Sequence, residues 1–247
     1  MSRNHPSDGT IGRARHLAGA AVVLALGLGA AACSDVEKAD DVPAAACDAF
    51  VGVSAIFTGD PSSAGAVLES FVGALPEDLR DDGEAVSNGL QAAFAGDEAA
   101  MSSPEYVDAN TAIGEAMYEG CDTAQKLDVA GIDYGFEGLP DSVKAGRVAI
   151  QFTNKTKNDE AHEMFIVVRN EGTTETFEEL DALPEEELFS KVTPVGVVFA
   201  DQADGVATTL LDLQPGSYIA VCNIPVGGGE TGDPHALHGM VAEFDVA

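Results

Sequence analysis

The chain has 247 residues, with 42 Asp and Glu against 12 Lys and Arg, a formal net charge of −30. That balance excludes nucleic acid as a partner, because binding it needs a basic face to neutralise phosphates, and it excludes a polybasic contact with anionic lipid. Hydrophobic residues make up 45%, enough for a packed core, and no uncharged apolar run reaches the roughly 18–20 residues of a membrane span.

The amino terminus reads as an address. Arg3, Arg13 and Arg15 precede an uncharged run from Leu17 to Ala32, the layout of a secretory signal over residues 1–32. The run ends Ala30-Ala31-Ala32-Cys33 and resembles a bacterial lipobox, with Ala30 where a large aliphatic residue is usual. The resemblance implies a lipid on Cys33 that anchors an exported chain to the outer face of the cell membrane. Ordinary small-residue cleavage would instead leave it secreted or periplasmic. Loss of residues 1–32 removes three Arg and one acid (Asp8), leaving 9 basic and 41 acidic residues and a net charge of −32. Such a charge favours solubility, and it suits a basic partner protein. Residues 33–43 are polar and acidic and read as a tether.

Residues 44–125 read as an all-α bundle domain. Ala44 to Thr58 is Ala-rich with Phe50, Val53 and Phe57 at helical spacing. Asp60-Pro61 looks like an N-cap followed by Pro at the first helical position, opening a helix to Leu75. A third stretch runs from Pro76 to Ala95, weakened by Gly83 and Gly89. Ser103-Pro104 repeats the cap signal before a fourth stretch that ends at Cys121. Four helices with short links suggest up-down-up-down topology. The start of the first helix and the end of the fourth then share one end, which makes a Cys47–Cys121 disulfide geometrically sensible.

Residues 126–247 read as an all-β domain, a second domain after the first. Seven β-rich runs are bounded by Gly, Pro and Asn: 127–136, 147–153, 163–169, 195–199, 207–213, 217–222 and 240–246. They suggest an antiparallel sandwich. Residues 175–191 are the exception, a helical stretch broken near Pro184 whose acidic run Glu185-Glu186-Glu187 reads as a solvated face.

Cysteine and histidine usage points to chemistry. The cysteines are Cys33, Cys47, Cys121 and Cys222, and an exported chain meets an oxidising compartment. With Cys33 lipidated and Cys47 paired to Cys121, Cys222 is an odd thiol, a liability unless buried or metal-bound. The exported chain keeps three histidines, His162, His235 and His238, all in the same half as Cys222. Singly, each candidate has an ordinary reading as a buried histidine, an inert thiol or a core methionine. His and acids also suit zinc. A thiol near a His is also the pair of a nucleophile, here without a third orienting group.

The segment Cys222-Asn223-Ile224-Pro225, a Gly-rich loop and then Pro234-His235-Ala236-Leu237-His238-Gly239-Met240, together with Asn154 and His162 upstream, resembles the cupredoxin family of blue copper proteins. The Pro-His…Gly-Met segment, the His-to-Met spacing of five and the Leu213-Gln-Pro-Gly-Ser-Tyr218 approach to Cys222 carry the likeness, which covers about half the chain. It implies a Greek-key sandwich and one type 1 copper per chain. His162, Cys222 and His235 would be the equatorial ligands and Met240 the weak axial one. His238 is an alternative loop ligand. The resemblance also suggests Asn154 and Asn223 as groups orienting the imidazoles, and Met164, Ile166, Ile224 and Leu237 as an apolar surround. Twelve residues, 223–234, separate Cys222 from His235, where small blue copper proteins use only a few. That length suggests a loop that enforces the geometry less tightly.

The expected function is one-electron transfer with a redox partner protein, without enzyme activity. Copper handling without electron transfer is an alternative that the long loop and His238 favour. A metal-free cupredoxin-like interaction module, with the helical domain as its working part, is another.

Overall fold

The computed structural model describes residues 42–59, 61–228 and 231–247. The signal segment, Cys33, most of the expected tether and the expected cap at Asp60 lie outside them. Four helices come first: α1 (Ala44–Ile56), α2 (Ala64–Ala74), α3 (Arg80–Phe94) and α4 (Pro104–Gly120). Short 3-10 turns lead into the last three. Ser103 caps α4 as its spacing implies, its Oγ accepting from Tyr106 N at 3.3 Å with Pro104 in the first turn. Each helix packs on the next, and Phe50, Leu68, Phe71, Leu90, Ile113 and Met117 fill the space between them. A disulfide joins Cys47 near the start of α1 to Cys121 at the end of α4. Gly89 has a packing reason within α3. A Cβ there would lie 2.4 Å from Tyr106 Cδ2, so its absence lets the Tyr106 ring lie against the helix.

The β part forms two sheets. One has the order β2-β1-β4-β7, from β1 (Gln125–Ile132), β2 (Gly135–Glu137), β4 (Gly146–Asn154) and β7 (Val206–Leu213). The other has the order β3-β9-β8-β5-β6, from β3 (Ser142–Val143), β5 (His162–Arg169), β6 (Val192–Ala200), β8 (Gly216–Val221) and β9 (Val241–Val246). Alternate residues of both sheets meet in one core, with Ile150, Phe152 and Leu211 from one and Met164, Ile166 and Phe244 from the other.

Two expectations are corrected. The pairing is not wholly antiparallel, because β1 pairs with β4 and β3 with β9 in parallel. The chain leaves the first sheet to place β3 on the edge of the second before returning as β4 beside β1, and such a crossover is what a parallel pair needs. The run 127–136 is a hairpin rather than one strand. It turns at Asp133-Tyr134, with Tyr134 at φ 61°. The Asp133 carboxylate draws the chain aside by accepting from Thr156 Oγ1 (2.8 Å) and Lys157 N (3.0 Å). The stretch 175–191 does break at Pro184, into α5 (Phe177–Asp181), opened by a Thr176–Glu179 capping box, and α6 (Glu185–Lys191).

The sheets end at β7 and β6, and α1 packs across both of these edge strands while α4 lies on β7. The helices thereby cover strand edges that would otherwise be open to pairing. Ala149 and Leu210 of the first sheet belong to the helical core, so the described helices and sheets form one compact unit. No helix among the described residues is long and apolar enough to cross a membrane.

Candidate metal centre

Three neighbouring strands of the second sheet bring the centre together. His162 opens β5, Cys222 follows β8 and Met240 precedes β9, with β8 paired to both of the others. His235 opens a 3-10 turn, His235–His238, whose backbone is tied to the strand ends. Ala236 N donates to Cys222 O (2.9 Å), Cys222 N to Met240 O (3.2 Å) and Met240 N to His235 O (3.1 Å). Upstream, Tyr218 Oη donates to Gln214 O at 2.8 Å and clamps the turn that starts the Cys222 strand. That bond gives the Leu213-to-Tyr218 segment its structural role.

His162, Cys222, His235 and Met240 are all buried. His162 Nδ1 stands 3.1 Å from His235 Nδ1, and Cys222 Sγ stands 3.5 Å from His235 Nδ1 and 3.9 Å from His162 Nδ1. A point inside this triangle lies about 2 Å from all three atoms. Metal–nitrogen bonds to histidine are about 2.0–2.1 Å long, so the donor set fits a metal ion in both chemistry and size. A Cβ built at Gly131 would lie 3.2 Å from Met240 Cε and 3.3 Å from His162 Cβ, so both side chains border the same small space.

Burial disfavours the charged form of each of the three donors. Burial pushes the Cys222 thiol up to about 11, against the backbone N–H groups of Glu163 and Ile224, which favour thiolate. Burial also lowers His162, with the neighbouring His235 adding to the effect. It lowers His235 too, partly opposed by Glu160. A bound cation reverses this logic and holds the thiolate.

The structure separates the two loop histidines. His235 belongs to the buried triad, whereas His238 is exposed, its ring 5.3 Å from that of Tyr134. The twelve-residue loop is pinched shut at its base. Pro225 bridges Pro234, Val226 N donates to Asp233 O (3.0 Å) and His235 N to Ile224 O (2.9 Å). The expectation of a slack loop therefore fails at the base, where backbone bonds return His235 to Cys222 however far the tip extends.

The expected supporting groups act differently. Asn154 is buried, but its amide donates to Glu160 O (2.8 Å) and Ala200 O (3.2 Å) and orients no imidazole. Asn223 donates to Glu163 Oε1 instead. Met164 and Ile166 are buried as expected, but Leu237 is 52% exposed and cannot exclude water. Sequence reasoning missed Glu160, whose Oε2 lies 3.2 Å from His235 Nε2 while Oε1 accepts from Gly227 N at 2.7 Å. It also missed Tyr134, whose ring meets His235 edge-on at 5.2 Å. One signal was available, the Asp-Tyr-Gly turn at 133–135.

No family model matches the chain, and no curated protein matches it. Solved structures similar to it include dithionite-reduced auracyanin from the photosynthetic bacterium Roseiflexus castenholzii (16% identity, 51% of this chain and 99% of that one, TM-score 0.34). Auracyanin A, a "blue" copper protein from Chloroflexus aurantiacus, matches at 16% identity over 49% of this chain and 98% of that one (TM-score 0.31). Rusticyanin from Thiobacillus ferrooxidans matches at 16% identity over 51% and 79% (TM-score 0.30).

Proposed function

We propose that the chain is an exported cupredoxin-like copper protein that passes single electrons to or from a partner protein. His162 Nδ1, His235 Nδ1 and Cys222 Sγ would hold one copper ion, with Met240 as weak axial ligand in a Greek-key sandwich. The observation that carries this reading is the buried triangle of two imidazole nitrogens and one sulfur around a point at metal-bonding distance. Copper in such a set supplies a one-electron couple. The protein's part is to keep the ligands still. The cross-strand pairing of β5, β8 and β9 and the pinched loop fix the donors, so little rearrangement accompanies a change of charge. The burial of all four side chains keeps bulk water away from the thiol. A lipid on Cys33 would hold the chain at the outer face of the membrane, and the acidic surface suits a basic partner.

Copper loading of residues 34–247, followed by metal analysis, visible absorption and EPR, tests the reading. One copper per chain with an intense thiolate-to-copper band is expected, and the band should vanish in Cys222→Ser. Unchanged stoichiometry and spectrum in that variant would refute it. Bound copper without the band, and without reversible redox cycling, would point instead to copper handling.

A further inference from the structure

The helical layer and the seam between β6 and β7 line a half-open cavity of about 270 Å³. Its walls include Phe50 and Phe57 of α1, Tyr106 and Asn110 of α4, Val197 of β6, and Asp201 just after β6. The charged residues of the lining are two carboxylates, Glu163 and Asp201, with no Lys, Arg or His. Glu163 is already engaged, accepting from Asn223 N and Nδ2 at 3.0 Å. Asp201, the Tyr106 hydroxyl and the Asn110 amide have no hydrogen-bond or ion-pair partner among the described residues. The Tyr106 ring is held in place by its contact with the Gly89 backbone. Burial raises its phenol to about 12, so it stays neutral at physiological pH.

We propose that this cavity binds a small organic cation, an ammonium or pyridinium head on an apolar body. Phe50, Phe57 and Tyr106 give the walls aromatic surface, which attracts cations, and Asp201 offers an uncompensated charge in a partly desolvated place. Anions are excluded by the same carboxylates. A formal charge of −30 over the whole chain raises the local concentration of cations and speeds their arrival. Size agrees with one ring and a short substituent. The site stands independently of metal at the His–Cys centre. It adjoins that centre through Glu163, whose backbone N–H donates to Cys222 Sγ at 3.5 Å.

The test uses residues 34–247, which contain the whole compact unit, and follows amide chemical shifts during titration with three probes. These are phenyltrimethylammonium, neutral acetophenone and anionic benzenesulfonate. The cation should bind about tenfold more tightly than the ketone, the anion should not bind, and the shifts should map to Tyr106, Val197 and Asp201. Asp201→Asn should remove the preference for the cation while leaving acetophenone binding unchanged. Val107→Trp, which fills the cavity, should abolish binding of both. If that variant does not fold, Asp201→Asn decides the matter alone. Equal affinity for the three probes, no binding at all, or a preference that survives Asp201→Asn would overturn the proposal.

Discussion

His162 Nδ1 and His235 Nδ1 face each other at 3.1 Å, although 73 positions separate the two residues in the chain. The exposed His238 is only three positions from His235 and has no share in that contact. Replacing His235 by Ala should therefore lower copper affinity by more than the roughly 10–100-fold that outer partners of a ligand are worth. His238→Ala should leave stoichiometry and spectrum unchanged. Titration followed by visible absorption separates the two, and the reverse pattern would move the ligand to His238.

The centre was legible where chemistry is written in residue type. An odd cysteine, few histidines and a methionine at fixed spacing are rare enough to notice, and the structure brings His162, Cys222 and His235 together. What escaped depends on backbone or on commonplace residues. Glu160 is one of 42 acids, with nothing in its spacing to distinguish it. The pinch at Pro225 and Pro234 is made of backbone bonds that leave no side-chain signature. Gly89 reads as a helix weakness until Tyr106, distant in sequence, is seen lying on it. The hairpin at Asp133-Tyr134 was read through because the bonds that bend it come from Thr156 and Lys157, over twenty positions away.

Gly131 sets how closely the first sheet approaches the centre. A Cβ there would come within 2.7 Å of Phe152 Cζ, besides touching Met240 and His162. Phe152 is fully buried, so the ring has little room to yield. Gly131→Ala should cost about 1–3 kcal/mol from overpacking, read as a lower midpoint in urea. It should also alter the spectrum of the copper-loaded protein, whereas Gly73→Ala, where nothing lies near the new methyl, should do neither.

The Cys47–Cys121 disulfide closes a loop across 74 positions, tying the two helices that lie against the sheets. Replacing both cysteines by Ala should cost about 2–4 kcal/mol in denaturant unfolding. The bond lies in the helical layer and contributes no donor to the metal triangle. Copper stoichiometry and the visible band should therefore persist in the folded double variant, and their loss would show that the helical layer governs the centre.

Glu160 joins the Gly-rich loop to the loop histidine, one oxygen on Gly227 N and the other beside His235 Nε2. Glu160→Ala should cost about 1.5–3 kcal/mol, the scale of a hydrogen bond to a charged group. It should also speed hydrogen exchange at the Gly227 amide. Glu160→Gln keeps a carbonyl oxygen for that amide, so its exchange should stay close to wild type. Equal exchange in all three proteins would mean that the loop is held at its base alone.

The pair Glu175–Lys191, 2.8 Å apart, bridges the two ends of the helical insert between β5 and β6, and it titrates in opposite senses at its two ends. The Lys191 ammonium, helped by backbone donors, lowers Glu175 from 4.5 to about 2. A depressed carboxylate stabilises the fold fully above its unfolded value and loses that contribution as pH falls through the folded one. Lys191 is raised above 10.5 by Glu175, so its share is present below 10.5 and fades as pH rises past that value. The difference in urea midpoint between wild type and Glu175→Gln should therefore be flat between about pH 5 and 9. It should shrink below 4.5 and be largely gone at pH 2. Because the pair is partly exposed, added salt should narrow the plateau difference as well. A difference that persists unchanged at pH 2 would mean that Glu175 acts through packing rather than charge.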